Sequence, residues 1–495
     1  MYLLALSGLS TKGSPAARRA GLLLLGLLII FGGLFLFLSL PEDSDDPFAG
    51  LSDEEILEKA RAFYASRPHY ERPHDYSPVP AGLPDLRSET CGQCHAAIYA
   101  EWRISTHARA FLDDAQFMEE LHKSSGQYDE HHPNDVSWMC LHCHTPMINQ
   151  LERLVVDLEA GNIGKPIYVD NPFFDRELQE DAIGCATCHV QDGIVYGPRG
   201  DSPLAPHPVA RGEHLLTEEN CLVCHQAEAH FPDQNLACFF TTGTEFANSR
   251  FAEEGHTCQS CHMPQTTRKV AELFDVPERL TRHHWFGGSL IPKHPDFEEE
   301  IAALRPIFGS GASLALIANT EKKGCGDDEN YSLAACPALA VEIYNEFAGH
   351  LFPTGDPERH VDVTFRVRTE AGDLLAESSL RIGSIYEWWP EIRLLSDNRI
   401  PPGESLYLPV PTFVVQPSPE TPLFVEIEAH KYRMHQEAFD YHDLEGRYVR
   451  GRVFHTSLWR LESAEDFYLE TIEDDFGSRK TLEPENLPTL FTIGD

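Results

Sequence analysis

Basic residues are scarce in this chain of 495 residues, which has 39 lysines and arginines against 78 aspartates and glutamates. The formal net charge of −39 makes nucleic acids and anionic lipid surfaces unsuitable partners, because both would repel the protein. The charge is compatible with a basic protein partner attracted over long range, and equally with an acidic surface that only faces solvent and salt. Methionine is also rare, with six residues, so few thioether side chains are available as metal ligands.

One apolar run, residues 21–40, is long enough to cross a membrane and contains no charged residue. Twenty helical residues at a rise of about 1.5 Å match a hydrocarbon core of about 30 Å. Lys12, Arg18 and Arg19 precede the run and acidic residues follow it, which predicts a cytoplasmic N-terminus. The length of the run and the poor cleavage site after it favour an uncleaved anchor over a cleaved signal peptide. Cleavage would instead give a soluble or secreted protein.

The cysteines occur in a repeated motif, because five Cys-x-x-Cys-His frames account for ten of the 13 cysteines. Two thiols at this spacing bind the two vinyl groups of one porphyrin, and the next residue supplies the proximal imidazole of the iron. The sequence therefore predicts five covalently bound haem c groups. In chain order, frames 1 to 5 are Cys91, Cys94 and His95; Cys140, Cys143 and His144; Cys185, Cys188 and His189; Cys221, Cys224 and His225; and Cys258, Cys261 and His262.

Other readings of these cysteines are weaker. Zinc sites rarely place a histidine directly after every second cysteine, and a thioredoxin-like motif would occur once. Covalent haem attachment takes place outside the cytoplasm, which agrees with the predicted anchor and indicates a periplasmic location for the body of the protein. In that oxidising compartment Cys325 and Cys336 are candidates for a disulfide, whereas Cys238 has the character of an ordinary buried thiol.

The frames and their spacing predict the domain organisation. First cysteines are separated by 49, 45, 36 and 37 residues, too little chain for five separate folds, so stacked haems must form much of the core. We expect a mainly α-helical and loop-rich haem domain, followed by an all-β sandwich-like domain. The predicted segments are a cytoplasmic N-terminus at 1–20, a transmembrane anchor at 21–40, a tether at 41–85, a pentahaem domain at 86–295, a linker at 296–334 and a β-sandwich at 335–495.

Residue periodicity supports these assignments. A capping box of Ser52 and Glu55 predicts a short helix within the tether. Apolar residues from Met147 to Leu158 predict a helix ended by Gly161-Asn162, and residues 297–320 also have a helical pattern. Alternating apolar residues then predict strands, at Leu339, Val341 and Ile343; at Val361, Val363, Phe365 and Val367; and at Leu423, Val425, Ile427 and Ala429.

The sixth ligand of each iron decides whether that haem can bind a substrate. His107 follows frame 1 in a helical pattern and is the strongest candidate for a distal ligand. One of His207 and His214 and one of His283 and His284 are further candidates. The weaker candidates are His230, His256, His294 and His350, while Met139, Met147 and Met263 are expected to be packing residues.

Four passages together resemble the multihaem cytochrome c family related to the tetrahaem cytochrome of nitrifying bacteria, whose haem packing is shared with hydroxylamine-oxidoreductase-like proteins. The resemblance implies largely bis-histidine haems in a stacked chain and an electron-transfer role. It also implies ligation by His107, by His283 or His284, and by a histidine near His207. The passages are residues 91–108, residues 140–146, residues 251–264 with 283–288, and residues 345–355.

Three functions remain open from the sequence. The first is a membrane-anchored relay that carries electrons between a quinol-oxidising complex or another donor and periplasmic cytochromes. The second is an oxidoreductase of nitrogen or sulfur oxyanions with one five-coordinate haem, although no Cys-x-x-Cys-Lys frame for a lysine-ligated catalytic haem is present. The third is a structural subunit whose β-domain docks onto a partner complex.

Overall fold

The computed structural model of the chain describes residue 48 and residues 50–475, except 129, 131–132, 201, 232–235, 287, 327–335, 388–391 and 412–415. The predicted anchor at 21–40 lies outside the described residues. Within them, no helix combines the length and the apolar character needed to cross a membrane. The chain divides into two compact units, residues 1–56 and 57–495. In the first unit the expected capping box is present, because Ser52 N–H donates to Glu55 at 2.8 Å and Glu55 N–H to Ser52 Oγ at 3.4 Å.

Helices are short throughout the described residues. The α-helices are Asp53–Ala65, Ser88–Gly92, Ala96–Trp102, Ala115–Lys123, Ser137–His144, Arg176–Glu180, Cys185–His189, Glu219–His225, Thr242–Ala247, Arg250–Glu253, Cys258–His262, Glu298–Ala302, Arg305–Phe308 and Gln436–Tyr441. Single 3₁₀ turns occur at His69–Glu71, Ile148–Gln150, Glu159–Gly161, Glu213–Leu215 and Pro295–Phe297.

Strands form small hairpins in the first half of the chain and two larger sheets in the second. The strands are β1 Arg153–Leu158, β2 Pro166–Asp170, β3 Val190–Gln191, β4 Ile194–Gly197, β5 Val209–Arg211, β6 Ala227–Phe231, β7 Leu236–Phe240, β8 Gln265–Arg268, β9 Arg279–Arg282, β10 Ala312–Ala318, β11 Leu339–Asn345, β12 His360–Thr369, β13 Leu374–Glu387, β14 Arg393–Asp397, β15 Ser405–Val410, β16 Leu423–Tyr432, β17 Gly451–Leu461 and β18 Phe467–Asp474.

Residues 57–85, expected to be part of a tether, pack against the body of the second unit. Leu57, Ala60 and Tyr64 are buried on one face of their helix. The Tyr64 hydroxyl accepts a hydrogen bond from Val155 N–H at 3.1 Å, and His74 N–H donates to the Pro146 carbonyl at 2.6 Å. This part of the chain is therefore integral to the haem region.

The prediction of a helix after frame 2 is wrong. Residues 153–158 instead form β1, which pairs antiparallel with β2 and has a bulge between Val155 and Asp157. Gly161, with a φ of 75°, and Asn162, whose N–H donates to the Glu159 carbonyl at 3.0 Å, shape the connecting turn. The apolar spacing was compatible with a helix, but the turn residues that were expected to end a helix reverse a hairpin instead.

The helical expectation for residues 297–320 holds only for its first part. Helices Glu298–Ala302 and Arg305–Phe308 are followed by Gly309 and Gly311 at positive φ, which break the helix. Residues 312–318 then form β10, whose burial alternates along the strand. The first strand of the β-domain thus lies inside the segment expected to be a linker.

The C-terminal region contains two antiparallel sheets that share one apolar core. The larger sheet has the strand order β14-β13-β12-β16-β17-β18, and the smaller has the order β10-β11-β15. Val341 and Ile343 from the smaller sheet and Phe365 and Ile427 from the larger are all buried in that core. The period-two pattern therefore predicted the strands correctly, because alternate residues of each strand face the opposing sheet. The expected disulfide between Cys325 and Cys336 is present in the connection from β10 to β11.

Candidate haem-binding site

Each frame lies on a short helix or directly beside one. The helices of frames 2 to 5 end at the proximal histidine. In frame 1, Cys91 lies in helix Ser88–Gly92, whereas Cys94 and His95 lie between that helix and the next one, Ala96–Trp102. One helical turn brings residues i and i+3 to the same side, which presents both thiols to one porphyrin edge. The local geometry of all five frames thus fits haem attachment.

Hydrogen bonds orient three of the proximal imidazoles. Nδ1–H of His95 donates to the Val270 carbonyl at 2.5 Å, that of His189 donates to the Tyr196 carbonyl at 2.8 Å, and that of His144 donates to the Ala110 carbonyl. A proton held on Nδ1 leaves the Nε2 lone pair free for a metal. Burial also lowers the pKa of His144 and of His225 to about 4, which favours the neutral, ligating form.

Three proximal imidazoles face a second imidazole at a closely similar distance. The ring centres are 6.3 Å apart for His225 and His107, 6.0 Å for His189 and His284, and 6.2 Å for His262 and His350. An iron lies about 2 Å from each ligating nitrogen, and that nitrogen is about 1.1 Å from its ring centre, so two axial imidazoles have centres about 6.2 Å apart. The spacing of these three pairs fits bis-histidine ligation of the haems on frames 4, 3 and 5.

The structure distinguishes the neighbouring candidates His283 and His284. His284 faces His189, and its Nδ1–H donates to the Arg282 carbonyl at 2.9 Å. His283 instead contacts Glu101 at 3.2 Å. Glu101 also accepts the His284 backbone N–H at 2.8 Å and pairs with both terminal nitrogens of Arg268, at 2.6 and 3.0 Å. Glu101 and Arg268 therefore position the segment that carries His284.

His350, one of the weaker candidates from the sequence, comes from the start of the β-domain. Glu245 of the haem region holds its loop, accepting hydrogen bonds from Leu351 N–H at 3.2 Å, from the Thr354 hydroxyl at 2.5 Å and from Arg399 at 3.1 Å. Nδ1–H of His350 donates to the Leu351 carbonyl at 2.9 Å, which leaves Nε2 available for a metal. The β-domain thus supplies a side chain to the haem region, and the sequence signal for it was the passage 345–355, which carries part of the family resemblance.

The two candidates before frame 4 have different surroundings. Burial and, less strongly, the nearby His95 lower the pKa of His207, so His207 lies on the side of frame 1. His214 contacts the Cys188 carbonyl through Nε2 at 3.2 Å and packs edge-on against Tyr196. The structure thus brings His207 toward frame 1 and leaves His214 bonded to the backbone of frame 3.

His256 and His294, two further weaker candidates, lie beside carboxylates. His256 lies 3.7 Å from Glu254, and His294 lies 3.3 Å from Asp296 at the start of a 3₁₀ turn. The side chain of His230 lies outside the described part. Met139 and Met147 are buried packing residues, as expected.

Frame 2 differs from frames 3, 4 and 5 in the ring that lies beside its proximal histidine. The ring of Phe117 stacks on the His144 imidazole with centres 3.6 Å apart and planes 6° from parallel. In the part of the chain that the structure describes, no second imidazole lies at ligand spacing from His144. The charged groups acting on His144 are Asp114 and Lys293.

Contacts of the frame helices place the five frames next to one another. Cys185 N–H of frame 3 donates to Ser88 Oγ at 2.9 Å, on the helix that carries Cys91 of frame 1. The helix of frame 2, Ser137–His144, packs against the helix of frame 4, Glu219–His225.

Two more contacts extend this arrangement. Gln259 of frame 5 donates through Nε2 to the Thr217 carbonyl at 2.5 Å, shortly before frame 4. His214, which also precedes frame 4, contacts the Cys188 carbonyl of frame 3 at 3.2 Å. The five frames therefore form one contiguous network, with frame 4 adjacent to frames 2, 3 and 5.

Part of the chain is similar to known haem proteins. Residues 90–163, which contain frames 1 and 2 and His107, match the family of cytochrome c554 and c-prime and confirm the resemblance seen in the sequence. No curated protein sequence matches the chain. Among solved structures, a penta-haem cytochrome c552 from Thermochromatium tepidum is 15% identical, with 77% of this chain and 100% of that chain covered and a TM-score of 0.48. A β-glucuronidase from Bacteroides uniformis is 13% identical over 32% of this chain and 14% of its own, with a TM-score of 0.13.

Proposed function

We propose that this multihaem c-type cytochrome binds five haems and transfers electrons between redox proteins outside the cytoplasm. The observation that carries the proposal is the contiguity of the frames, because the helix of every frame contacts the helix or the flanking residues of at least one other frame. Haems attached at such positions supply one-electron carriers in close succession. The protein's own contribution is to place their ligands and to exclude water from them.

The facing imidazoles support transfer rather than catalysis at most of the network. His107 with His225, His189 with His284 and His262 with His350 would hold the irons of frames 4, 3 and 5 from both sides, which would leave those irons no position for a substrate. The buried pairs His107 with His225 and His189 with His284 are also held neutral, since burial lowers the pKa of His107 and of His284 to about 3. A side chain that is neutral and fixed by packing needs little rearrangement when an electron passes.

We further propose that residues 21–40 anchor the protein in the cytoplasmic membrane with its body in the periplasm. The uncharged apolar run and the haem frames, which are loaded outside the cytoplasm, support this location. The net charge of −39 suits electrostatic steering toward a basic redox partner, such as a quinol-oxidising complex or a periplasmic cytochrome. Cell fractionation of the full chain and of a variant lacking residues 21–40 tests the anchor. Release of only the shortened protein is expected, and release of both contradicts the proposal.

The relay is tested by purifying the protein from a host that matures c-type cytochromes. Intact mass is expected to show five haems, and electron paramagnetic resonance of the oxidised form is expected to be dominated by low-spin iron. Reduction by a small-molecule donor should then reach all five irons in rapid succession. A haem that stays oxidised while its neighbours are reduced would show that the network is interrupted.

A second candidate function is redox conversion of a nitrogen or sulfur oxyanion at frame 2. It is favoured by the surroundings of His144, which in the described residues include Lys293 and Asp114 but no facing imidazole. A high-spin signal from one of five haems that changes when nitrite or hydroxylamine is added would support it. An entirely low-spin spectrum that is insensitive to both would leave electron transfer as the function.

A further inference from the structure

A set of buried charged residues lies where the haem region meets the β-sandwich. Lys293 and Asp114 come from the haem region, whereas Arg359, Arg433 and Tyr448 come from the β-domain. We call these five residues the interface charge cluster. Asp114, Arg433 and Tyr448 are 2%, 4% and 4% exposed, whereas Lys293 and Arg359 are partly buried.

Tyr448 lies at the centre of the cluster. Lys293 Nζ is 3.4 Å from the Tyr448 hydroxyl and 5.3 Å from its ring centre, and it also pairs with Asp114. The Arg433 guanidinium carbon lies 5.8 Å from the same ring centre. The Tyr448 hydroxyl donates to Gln116 Oε1 at 2.8 Å. Lys293 of the haem region and Arg433 of the β-domain therefore both pack against Tyr448, which joins the two regions.

The cations of the cluster exceed its ionised carboxylates. Burial lowers the pKa of Lys293 to about 8, and Arg433 and Arg359 contribute to this shift. Burial and Arg433 also lower the pKa of Arg359. Asp114 is the direct partner of Lys293. Asp356 is a second carboxylate beside the cluster and acts on Arg359. Three cations thus converge within a protein whose overall charge is strongly negative.

One donor of the cluster has no acceptor. Arg433 donates to the Ile291 carbonyl through Nη2, but its buried Nε–H has no hydrogen-bond partner among the described residues. A buried donor on a charged group is costly when it is left unmatched. An acceptor that carries negative charge would satisfy this donor and balance the excess of cations.

The cluster lies beside two haem frames. Asp114 accepts the Phe117 N–H at 3.3 Å, and the Phe117 ring stacks on His144 of frame 2 with centres 3.6 Å apart. Arg359 acts electrostatically on His225 of frame 4. We propose that Lys293, Arg359 and Arg433 form a binding site for a carboxylate or a small oxyanion between frames 2 and 4. The anion has two possible sources, which are a propionate of a haem bound at these frames or a free oxyanion from solvent. The inference rests on the proposed function only in requiring haem at both frames.

The test uses the purified holoprotein and the variant Arg433→Gln. Arg433→Lys keeps the charge, and Arg176→Gln removes an arginine that is 66% exposed on its side chain. Midpoint potentials of the five haems are measured by spectroelectrochemistry, and binding of nitrite and sulfite to the oxidised protein is measured by calorimetry at constant ionic strength. If the Arg433→Gln protein does not incorporate its haems, the midpoint potentials and the anion binding are measured in Lys293→Gln instead.

The two sources give different results. If a haem propionate is the anion, Arg433→Gln lowers the potential of one or two haems, Arg433→Lys largely restores it, and neither added anion binds. If a free oxyanion is bound, nitrite or sulfite binds the wild type at one site and binds Arg433→Gln about tenfold or more weakly. Unchanged potentials and unchanged anion binding in both glutamine variants would overturn the proposal. Such a result would leave the proposed electron transfer intact, because the variants could still carry all five haems and transfer electrons.

Discussion

Replacing His350 with alanine removes the imidazole that faces His262, and the consequence can be worked out from their geometry. Their ring centres are 6.2 Å apart and their planes are 17° from parallel, which fits two ligands on one iron. The variant should therefore convert one haem in five from low-spin to high-spin or water-ligated iron. The potential of that haem should rise, because a strong donor to the oxidised iron is lost.

Electron paramagnetic resonance with spin quantification measures this change directly. The expected result is the loss of the low-spin intensity of one haem in His350→Ala relative to the wild type, with its recovery when imidazole is added to the solution. His294→Ala is the matched control, since His294 is partly exposed and pairs with Asp296 rather than with a proximal imidazole. A fully low-spin spectrum for His350→Ala, without added imidazole, would refute the assignment and show that ring separation alone does not identify the ligand.

Three further predictions concern stability. Glu101→Gln should destabilise the protein by about 2 kcal/mol in chemical denaturation, because Arg268 loses its charged partner, and it should loosen ligation by His284. Removing the disulfide by Cys325→Ser with Cys336→Ser should lower the free energy of unfolding by about 3 kcal/mol, as its closed loop is short. Burial lowers the pKa of Lys431 to about 7, so the unfolded chain binds more protons there from about pH 7 to about pH 10, and the free energy of unfolding should rise across that window.

Each of these predictions has a control. Glu89→Gln changes an exposed carboxylate on the neighbouring helix and should leave stability and the spin state of the irons unchanged. The reduced wild type should match the double serine variant in denaturation, and a difference between them would point to an effect of the serines themselves. Lys431→Met should flatten the rise in stability with pH, and an undiminished slope in that variant would assign the titration to other groups.

The β-domain illustrates how much of the fold was accessible from the sequence. Alternation at residues such as Val363 and Phe365 predicted strands correctly, because the side-chain period of a strand is set locally. The helix expected between Met147 and Leu158 was wrong, since a short apolar run fits both a helix and a buried strand and only its pairing with β2 decides between them. The same limit explains why β10 was not distinguished from the helical segment before it.

The sequence alone determined which chemistry this protein carries, because haem attachment depends on residues three and four positions apart and that spacing is visible in the chain. Its ten frame cysteines and five proximal histidines required no structure. Only the tertiary structure selected His284 over His283 and brought His350, 88 residues after His262, to face that imidazole. A distal ligand and a cluster such as that of Lys293 and Arg433 depend on the approach of distant segments, and local sequence does not encode the direction of that approach.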